Sequence, residues 1–156
     1  MRTFVLERTQ VVEASLDSAW AFFASARNLE AITPPWLRFQ IVDAPDELGA
    51  GSFLRYRLRL FGWPIDWLTL IESWTPPRAF ADVQVHGPYR VWEHTHRLSA
   101  VDGGTEIYDH VRYAAVGGRA SHVLLRRWLD AIFDHRAART AELVPRAPGA
   151  ELVTPR

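Results

Sequence analysis

Residues 90–114 read RVWEHTHRLSAVDGGTEIYDHVRYA, two runs of alternating apolar and polar residues on either side of Asp102-Gly103. Such alternation is typical of half-buried strands, and an Asp-Gly pair favours a tight two-residue turn between two strands. The stretch therefore predicts a β-hairpin with strands at residues 90–100 and 105–114.

The expected turn also sets which residues of the hairpin face each other. It pairs His96 with Asp109, His94 with Val111, Trp92 with Tyr113, and Leu98 with Ile107. This register puts the apolar residues of both strands on one face, whereas a slip of one residue would set them against Glu93 and Arg97. We therefore expect His94, His96 and Asp109 to point into the protein.

The rest of the chain predicts more strands before this hairpin and helices around them. Period-two alternation predicts strands at residues 3–13, 39–42, 54–60, 63–74 and 80–86, and helical spacing predicts helices at 17–28, 27–32 and 119–143. We expect Asp17 to cap the first helix, and Asp66 to lie opposite Arg59. Strands grouped apart from helices indicate an α+β fold, in which an antiparallel sheet curls around the long last helix and leaves a space between them.

Composition and charge exclude several classes of protein. The 156 residues include 18 basic and 18 acidic side chains and no cysteine. Balanced charge argues against a nucleic-acid partner, and the lack of cysteine excludes disulfides and thiolate chemistry. No apolar run is long enough to span a bilayer or to form a secretion signal, so we expect a cytoplasmic protein without stable membrane insertion. We expect one domain over residues 1–144 and a disordered tail over residues 145–156.

Several polar side chains are expected on the inner face of the sheet. Asp82 and Gln84 share one face of their strand. This face turns inward if the loop at Gly87-Pro88 contains a bulge or an odd number of residues, and we favour this inward orientation. The inner polar set is then Asp82, Gln84, His94, His96 and Asp109, beside Trp92 and Tyr113. Buried polar groups are stable only when hydrogen bonded or wet, so the set indicates a structural network or a ligand pocket.

The His–Asp cluster supports two other kinds of chemistry. His96 is a candidate acid–base residue with Asp109 as its orienter, and His94 is the third catalytic candidate. Two imidazoles and a carboxylate are also a known set of metal ligands. We favour an orienting site for a ligand over both, expect a binding protein rather than an enzyme, and assign no metal and no cofactor.

Three motifs resemble a known family. Residues 82–96 read DVQVHGPYRVWEHTH, residues 109–113 read DHVRY, and residues 132–136 read IFDHR, while ITPP at residues 32–35 also fits. The chain is similar to bacterial ligand-binding proteins of the SRPBCC (START/Bet v 1-like) superfamily, many of them described as cyclase/dehydrase-like. The resemblance implies a helix-grip fold: a seven-stranded antiparallel sheet wrapped around a long C-terminal helix, with two short helices after the first strand closing one end of a deep pocket. It also implies a lipid, quinone, polyketide or aromatic metabolite as the class of ligand.

We therefore expect the pocket to bind a small apolar or amphipathic molecule. Its expected contacts are Trp20, Phe23, Leu58, Trp67, Trp128 and Ile132 for the apolar body, and Asp82, Gln84, Trp92, His94, His96, Asp109, Tyr113 and Arg136 for the polar end. Two alternatives stay open: a cyclase- or dehydratase-like enzyme that uses His96 and Asp109 as an acid–base pair, and a protein-interaction module. A closed cavity with polar groups at its inner end would favour small-molecule binding over the interaction module.

Overall fold

One antiparallel sheet and one long helix form the frame of the protein. The computed structural model describes residues 2–114 and 119–146. The strands are β1 (Phe4–Val12), β2 (Gln40–Asp43), β3 (Phe53–Leu60), β4 (Trp63–Thr75), β5 (Ala79–His86), β6 (Val91–Val101) and β7 (Gly104–Ala114), in the sheet order β1-β7-β6-β5-β4-β3-β2. The helices are α1 (Leu16–Phe23), α2 (Ala26–Ile32) and α3 (Arg119–Leu143), with 3-10 turns at Pro35–Leu37 and Val144–Arg146. The expected α+β helix-grip fold is confirmed.

The β6–β7 hairpin has the register that the sequence predicts. His96 pairs with Asp109 across the two-residue turn, and Leu98 pairs with Ile107. Gly103 takes a φ of 86°, a conformation that glycine adopts without strain. Leu98 and Ile107 are both buried. The turn and the burial of the apolar face therefore specify the same strand register.

Gly104 and Thr105 attach the start of β7 to the end of the edge strand β1. Gly104 has a φ of 147°, and a Cβ at this position would lie 1.9 Å from the backbone oxygen of Val12. The fully buried Thr105 donates its hydroxyl to the carbonyl oxygen of Ala14 at 2.8 Å. The close backbone approach therefore requires glycine at residue 104.

The β3–β4 hairpin differs from the expected register. Arg57, not Arg59, lies opposite Asp66, and Arg57 Nε donates to Asp66 Oδ1 at 3.0 Å. The cause is the turn at Phe61-Gly62, in which the two residues have positive φ values of 49° and 85°. A two-residue turn of this kind sets the register two residues away from the expected one but leaves each residue on its predicted face.

The first helix begins with a different cap than expected. Ser15, not Asp17, is the N-cap, because Ser15 Oγ accepts a hydrogen bond from the backbone N–H of Ser18 at 3.2 Å. Asp17 lies in the first turn, where a negative charge stabilises the helix dipole. The acidic residue thus contributes through its charge and not as the cap.

The first helix also ends earlier than expected. It stops at Phe23 instead of continuing to residue 28, because Ser25 takes an extended conformation with φ −101° and ψ 120°. The side-chain amide of Asn28 donates to the carbonyl oxygen of Phe22 at 2.8 Å and satisfies an acceptor at the helix end. The chain is interrupted at Ala24-Ser25, and α2 begins at Ala26.

The described chain ends in a short 3-10 turn directly after α3. Val144–Arg146 forms a 3-10 turn, and Val144 is fully buried beside Leu143 in a core cluster with β1 and α1. Residues 147–156, the rest of the expected tail, lie outside the described residues. Within residues 2–114 and 119–146, no helix is long and apolar enough to cross a membrane.

Candidate functional site

A cavity of about 160 Å³ lies between the inner face of the sheet and helix α3. Six of the expected apolar and aromatic contacts lie in its wall: Phe23, Leu58, Trp67, Trp92, Trp128 and Ile132. Other apolar wall residues, which the sequence analysis did not assign to the site, include Phe39, Leu54, Ile71, Phe80, Leu129 and Phe133. Each strand brings alternate side chains to this wall and α3 brings residues at helical spacing, so the same periodicities would have identified them.

One part of the cavity wall is polar and is formed by neighbouring strands. Asp82 on β5 lies opposite His94 on β6, so its side chain shares the inner face with His94 and His96. The side chains of the two histidines are 7 % and 5 % exposed, and that of Asp82 is 15 % exposed. The inward orientation expected for Asp82 is therefore observed, and all three residues line the cavity.

Asp109 lies behind the two imidazoles and contacts both. Its Oδ1 accepts a hydrogen bond from His94 Nε2 at 2.9 Å and lies 2.8 Å from His96 Nδ1. On the cavity side, Asp82 Oδ2 is 3.3 Å from His96 Nε2 and 3.8 Å from His94 Nδ1. The two rings are 3.7 Å apart, and each lies between two carboxylates.

This arrangement separates the pKa values of the two histidines. Burial lowers the pKa of His94, and the neighbouring His96 lowers it further. Burial acts in the same direction on His96, but Asp109 and Asp82 outweigh it and raise the pKa of His96 above its ordinary value. Burial would raise the pKa of Asp109, but its contacts with both histidines hold that pKa well below its usual range. The two histidines therefore differ in basicity: the carboxylates favour the protonated form of His96, whereas burial and the neighbouring His96 disfavour the protonated form of His94.

Two more polar features of the cavity are Tyr56 with Thr69, and Arg136. The hydroxyl groups of Tyr56 and Thr69 are 3.0 Å apart, and burial raises the pKa of Tyr56 well above its usual range. Arg136 lies 5.6 Å from the ring centre of Phe133 and forms no ion pair within the described residues. The sequence analysis did not identify Tyr56 and Thr69 as cavity residues, although each lies two residues from an apolar wall residue on its own strand.

Gln84 takes a structural position that the sequence did not predict. Its Nε2 donates to the carbonyl oxygen of Tyr89 at 2.7 Å, and its Oε1 accepts from the Tyr89 N–H at 3.2 Å. A Cβ at Gly87 would lie 2.5 Å from Gln84 Oε1, so glycine leaves room for this clamp. Gln84 therefore holds the loop between β5 and β6 and does not line the main cavity.

Three other expected contacts also lie outside the main cavity. Trp20 packs against the rings of Trp74 and Phe80, at 4.8 Å and 5.8 Å between ring centres. Tyr113 is fully buried in the core. Asp109 lines a separate cavity of about 40 Å³. Asp109 can therefore act on a ligand in the main cavity only through His94 and His96.

Comparison with known proteins gives a match to one family model. The model, described as "Domain of unknown function (DUF8410)", matches residues 10–143. No curated protein sequence matches the chain.

Solved structures match the chain through its fold. Protein Ms6760 from Mycobacterium smegmatis has 19% identity and a TM-score of 0.70, with 91% of each chain covered. The Zhui aromatase/cyclase from Streptomyces sp. R1128 has 18% identity and a TM-score of 0.69, with 97% of this chain and 100% of that chain covered. Ara h 8.0201 has 14% identity and a TM-score of 0.64, with 90% of this chain and 99% of that chain covered. At these identities the likeness concerns the fold alone.

Proposed function

The chain belongs to the DUF8410 family and has the helix-grip fold of the SRPBCC (START/Bet v 1-like) superfamily, and we propose that it binds a small amphipathic molecule in its main cavity. The observation that carries the proposal is a cavity of about 160 Å³ whose wall is mostly apolar and includes the polar side chains of Asp82, His94 and His96. The apolar part of a ligand that enters this space is removed from water, which is favourable by about 25 cal/mol per Å² of buried apolar surface.

The size of the cavity sets the scale of the ligand. An engineered apolar cavity of about 150 Å³ binds benzene. The cavity of about 160 Å³, which is partly open to solvent, therefore holds one aromatic ring or a short branched chain, and a larger molecule would extend outward. The apolar body would pack on Leu58, Trp67 and Trp128, as expected from the sequence.

The polar wall sets the orientation of the ligand. A hydroxyl or carbonyl group would reach His94, His96 and Asp82 at the buried side of the wall. Arg136, which has no ion-pair partner among the described residues, is available for an acidic group. A cavity with this polar side supports small-molecule binding over the interaction-module alternative.

Acid–base catalysis is the second candidate, and the buried His–Asp cluster in the cavity wall is the observation that favours it. The geometry around His96 argues against catalysis, because its Nδ1 lies 2.8 Å from the carboxylate of Asp109 and its Nε2 lies 3.3 Å from that of Asp82. Neither ring nitrogen of His96 is free to take a proton from a ligand. We therefore keep binding as the primary proposal.

Calorimetry with a matched pair of one-ring probes tests the proposal. We use 4-propylphenol, which has a polar end, and propylbenzene, which lacks it. At about 0.5 kcal/mol per heavy atom, ten atoms give about 5 kcal/mol, or a Kd on the order of 0.2 mM. We expect 4-propylphenol to bind more tightly than propylbenzene.

A pair of variants on α3 locates the binding site. Ile132→Trp places a large ring in the cavity wall, whereas Val123→Trp makes a similar change at a side chain that is 56% exposed. We expect Ile132→Trp to weaken binding of both probes at least tenfold and Val123→Trp to leave it unchanged. Absence of binding to the wild type, or equal effects of the two variants, would refute the proposal.

A further inference from the structure

We propose that Asp82, His94 and His96 form a binding site for one divalent first-row transition-metal ion at the polar side of the cavity. The three side chains each offer a ligand atom, and these atoms all lie within 4.8 Å of one another. The set differs from the one considered from the sequence, because Asp82 replaces Asp109 as the carboxylate that faces the same space as the imidazoles. The site does not depend on which organic molecule the cavity binds.

The distances between the ligand atoms suit such an ion. Bonds of about 2.1 Å at a tetrahedral angle place two ligand atoms about 3.4 Å apart. Asp82 Oδ2 lies 3.3 Å from His96 Nε2 and 3.8 Å from His94 Nδ1. Small side-chain rotations therefore bring all three atoms to bonding distance of one ion.

Asp109 holds both imidazoles in the orientation that ligation requires. Metal-bound histidines usually donate the N–H of their other ring nitrogen to a carboxylate or carbonyl, which fixes the tautomer. Here His94 Nε2 and His96 Nδ1 both face Asp109 Oδ1, at 2.9 Å and 2.8 Å. The opposite nitrogens, His94 Nδ1 and His96 Nε2, are thereby directed towards Asp82.

The surroundings of the three atoms also favour a cation. Two imidazole nitrogens and a carboxylate oxygen face one space, where a bound cation would take the place of any proton on the ligating nitrogens. The nitrogen ligands favour zinc, iron, cobalt or nickel over magnesium or calcium, which prefer oxygen. All three residues line the main cavity, so remaining coordination positions face the space that a small molecule would occupy.

Metal titration of the tag-free, chelator-treated protein tests the proposal. Zn²⁺ binding is followed by calorimetry, and Co²⁺ binding by its visible absorption bands. We expect one ion per chain with a Kd of about 1 µM or below, and a Co²⁺ spectrum typical of four- or five-coordinate nitrogen and oxygen ligation. Absence of stoichiometric binding by the wild type would overturn the proposal without reference to any variant.

Variants identify the ligands. His96→Gln and Asp82→Asn should weaken Zn²⁺ binding at least 100-fold and tenfold, whereas His110→Gln, on the outer face of β7, should leave it unchanged. Asp109→Asn should weaken Zn²⁺ binding about tenfold to 100-fold by releasing the imidazoles while all three ligands remain. Circular dichroism establishes that each variant is folded. Equal losses in His96→Gln and His110→Gln would place the ion elsewhere and refute the site, whatever the result with organic probes.

Discussion

Replacement of Asp109 by alanine is the most direct test of the buried polar network. Asp109 Oδ1 accepts from His94 Nε2 at 2.9 Å and lies 2.8 Å from His96 Nδ1. The side chain of Asp109 is 18 % exposed, and those of the two histidines are less exposed still. The variant therefore leaves two buried ring N–H groups without their acceptor.

The expected loss of stability follows from these two contacts. An unsatisfied buried donor costs about 1–3 kcal/mol, so two of them cost roughly 2–6 kcal/mol. We expect Asp109→Ala to lower the free energy of unfolding by about 4 kcal/mol, and Tm by roughly 10 °C for a chain of this length. Asp109→Asn keeps an acceptor oxygen but loses the charge, so it should cost about half as much.

Urea unfolding of metal-free protein, followed by tryptophan fluorescence, measures these changes. Glu106→Ala is the matched control, because the side chain of Glu106 on β7 forms no hydrogen bond or ion pair within the described residues, and it should change stability by less than about 0.5 kcal/mol. If Asp109→Ala costs no more than Glu106→Ala, the carboxylate does not stabilise the histidine pair and the reasoning fails.

The depressed pKa of Asp109 predicts that the stability of the folded protein depends on pH. The pKa of Asp109 is held below its usual range in the folded protein, so its contribution to stability is present above the pKa of the unfolded chain, near 3.9. That contribution is lost as the pH falls towards the folded-state pKa. With chelator present, the stability difference between wild type and Asp109→Asn should therefore shrink between about pH 5 and pH 3. A difference that stays constant over this range would contradict the depressed pKa.

Two further predictions concern the frame of the site. Gln84→Ala removes both hydrogen bonds to Tyr89 and should cost about 2 kcal/mol in urea unfolding while changing the affinity for 4-propylphenol less than twofold. A large loss of affinity at unchanged stability would instead make Gln84 a ligand contact. Gly104→Ala places a Cβ 1.9 Å from Val12 O and should cost about 3 kcal/mol or more, whereas Gly49→Ala, with nothing within 4 Å, should stay within about 1 kcal/mol. Similar thermal unfolding of these two glycine variants would refute the close approach.

The sequence by itself determined the features that depend on neighbouring residues along the chain. Period-two alternation and the Asp102-Gly103 turn were sufficient to pair His96 with Asp109 and to place both inside, because a strand has only two faces and a two-residue turn has one register. The grouping of strands ahead of the long helix indicated an antiparallel sheet around that helix, and the family resemblance implied the helix-grip fold.

Only the tertiary structure decided how distant segments share the site. The loop that joins β5 to β6 brings Asp82 against the two histidines but uses Gln84 as its own clamp, although both residues lie on one face of β5. Likewise, Tyr113 is buried in the core and Asp109 lies behind the imidazoles, away from the main cavity. The alternation of apolar and polar residues shows on which face of a strand a side chain lies. How deeply that side chain is buried depends on the curvature of the sheet and on the helix packed across it. No local sequence pattern encodes these two features.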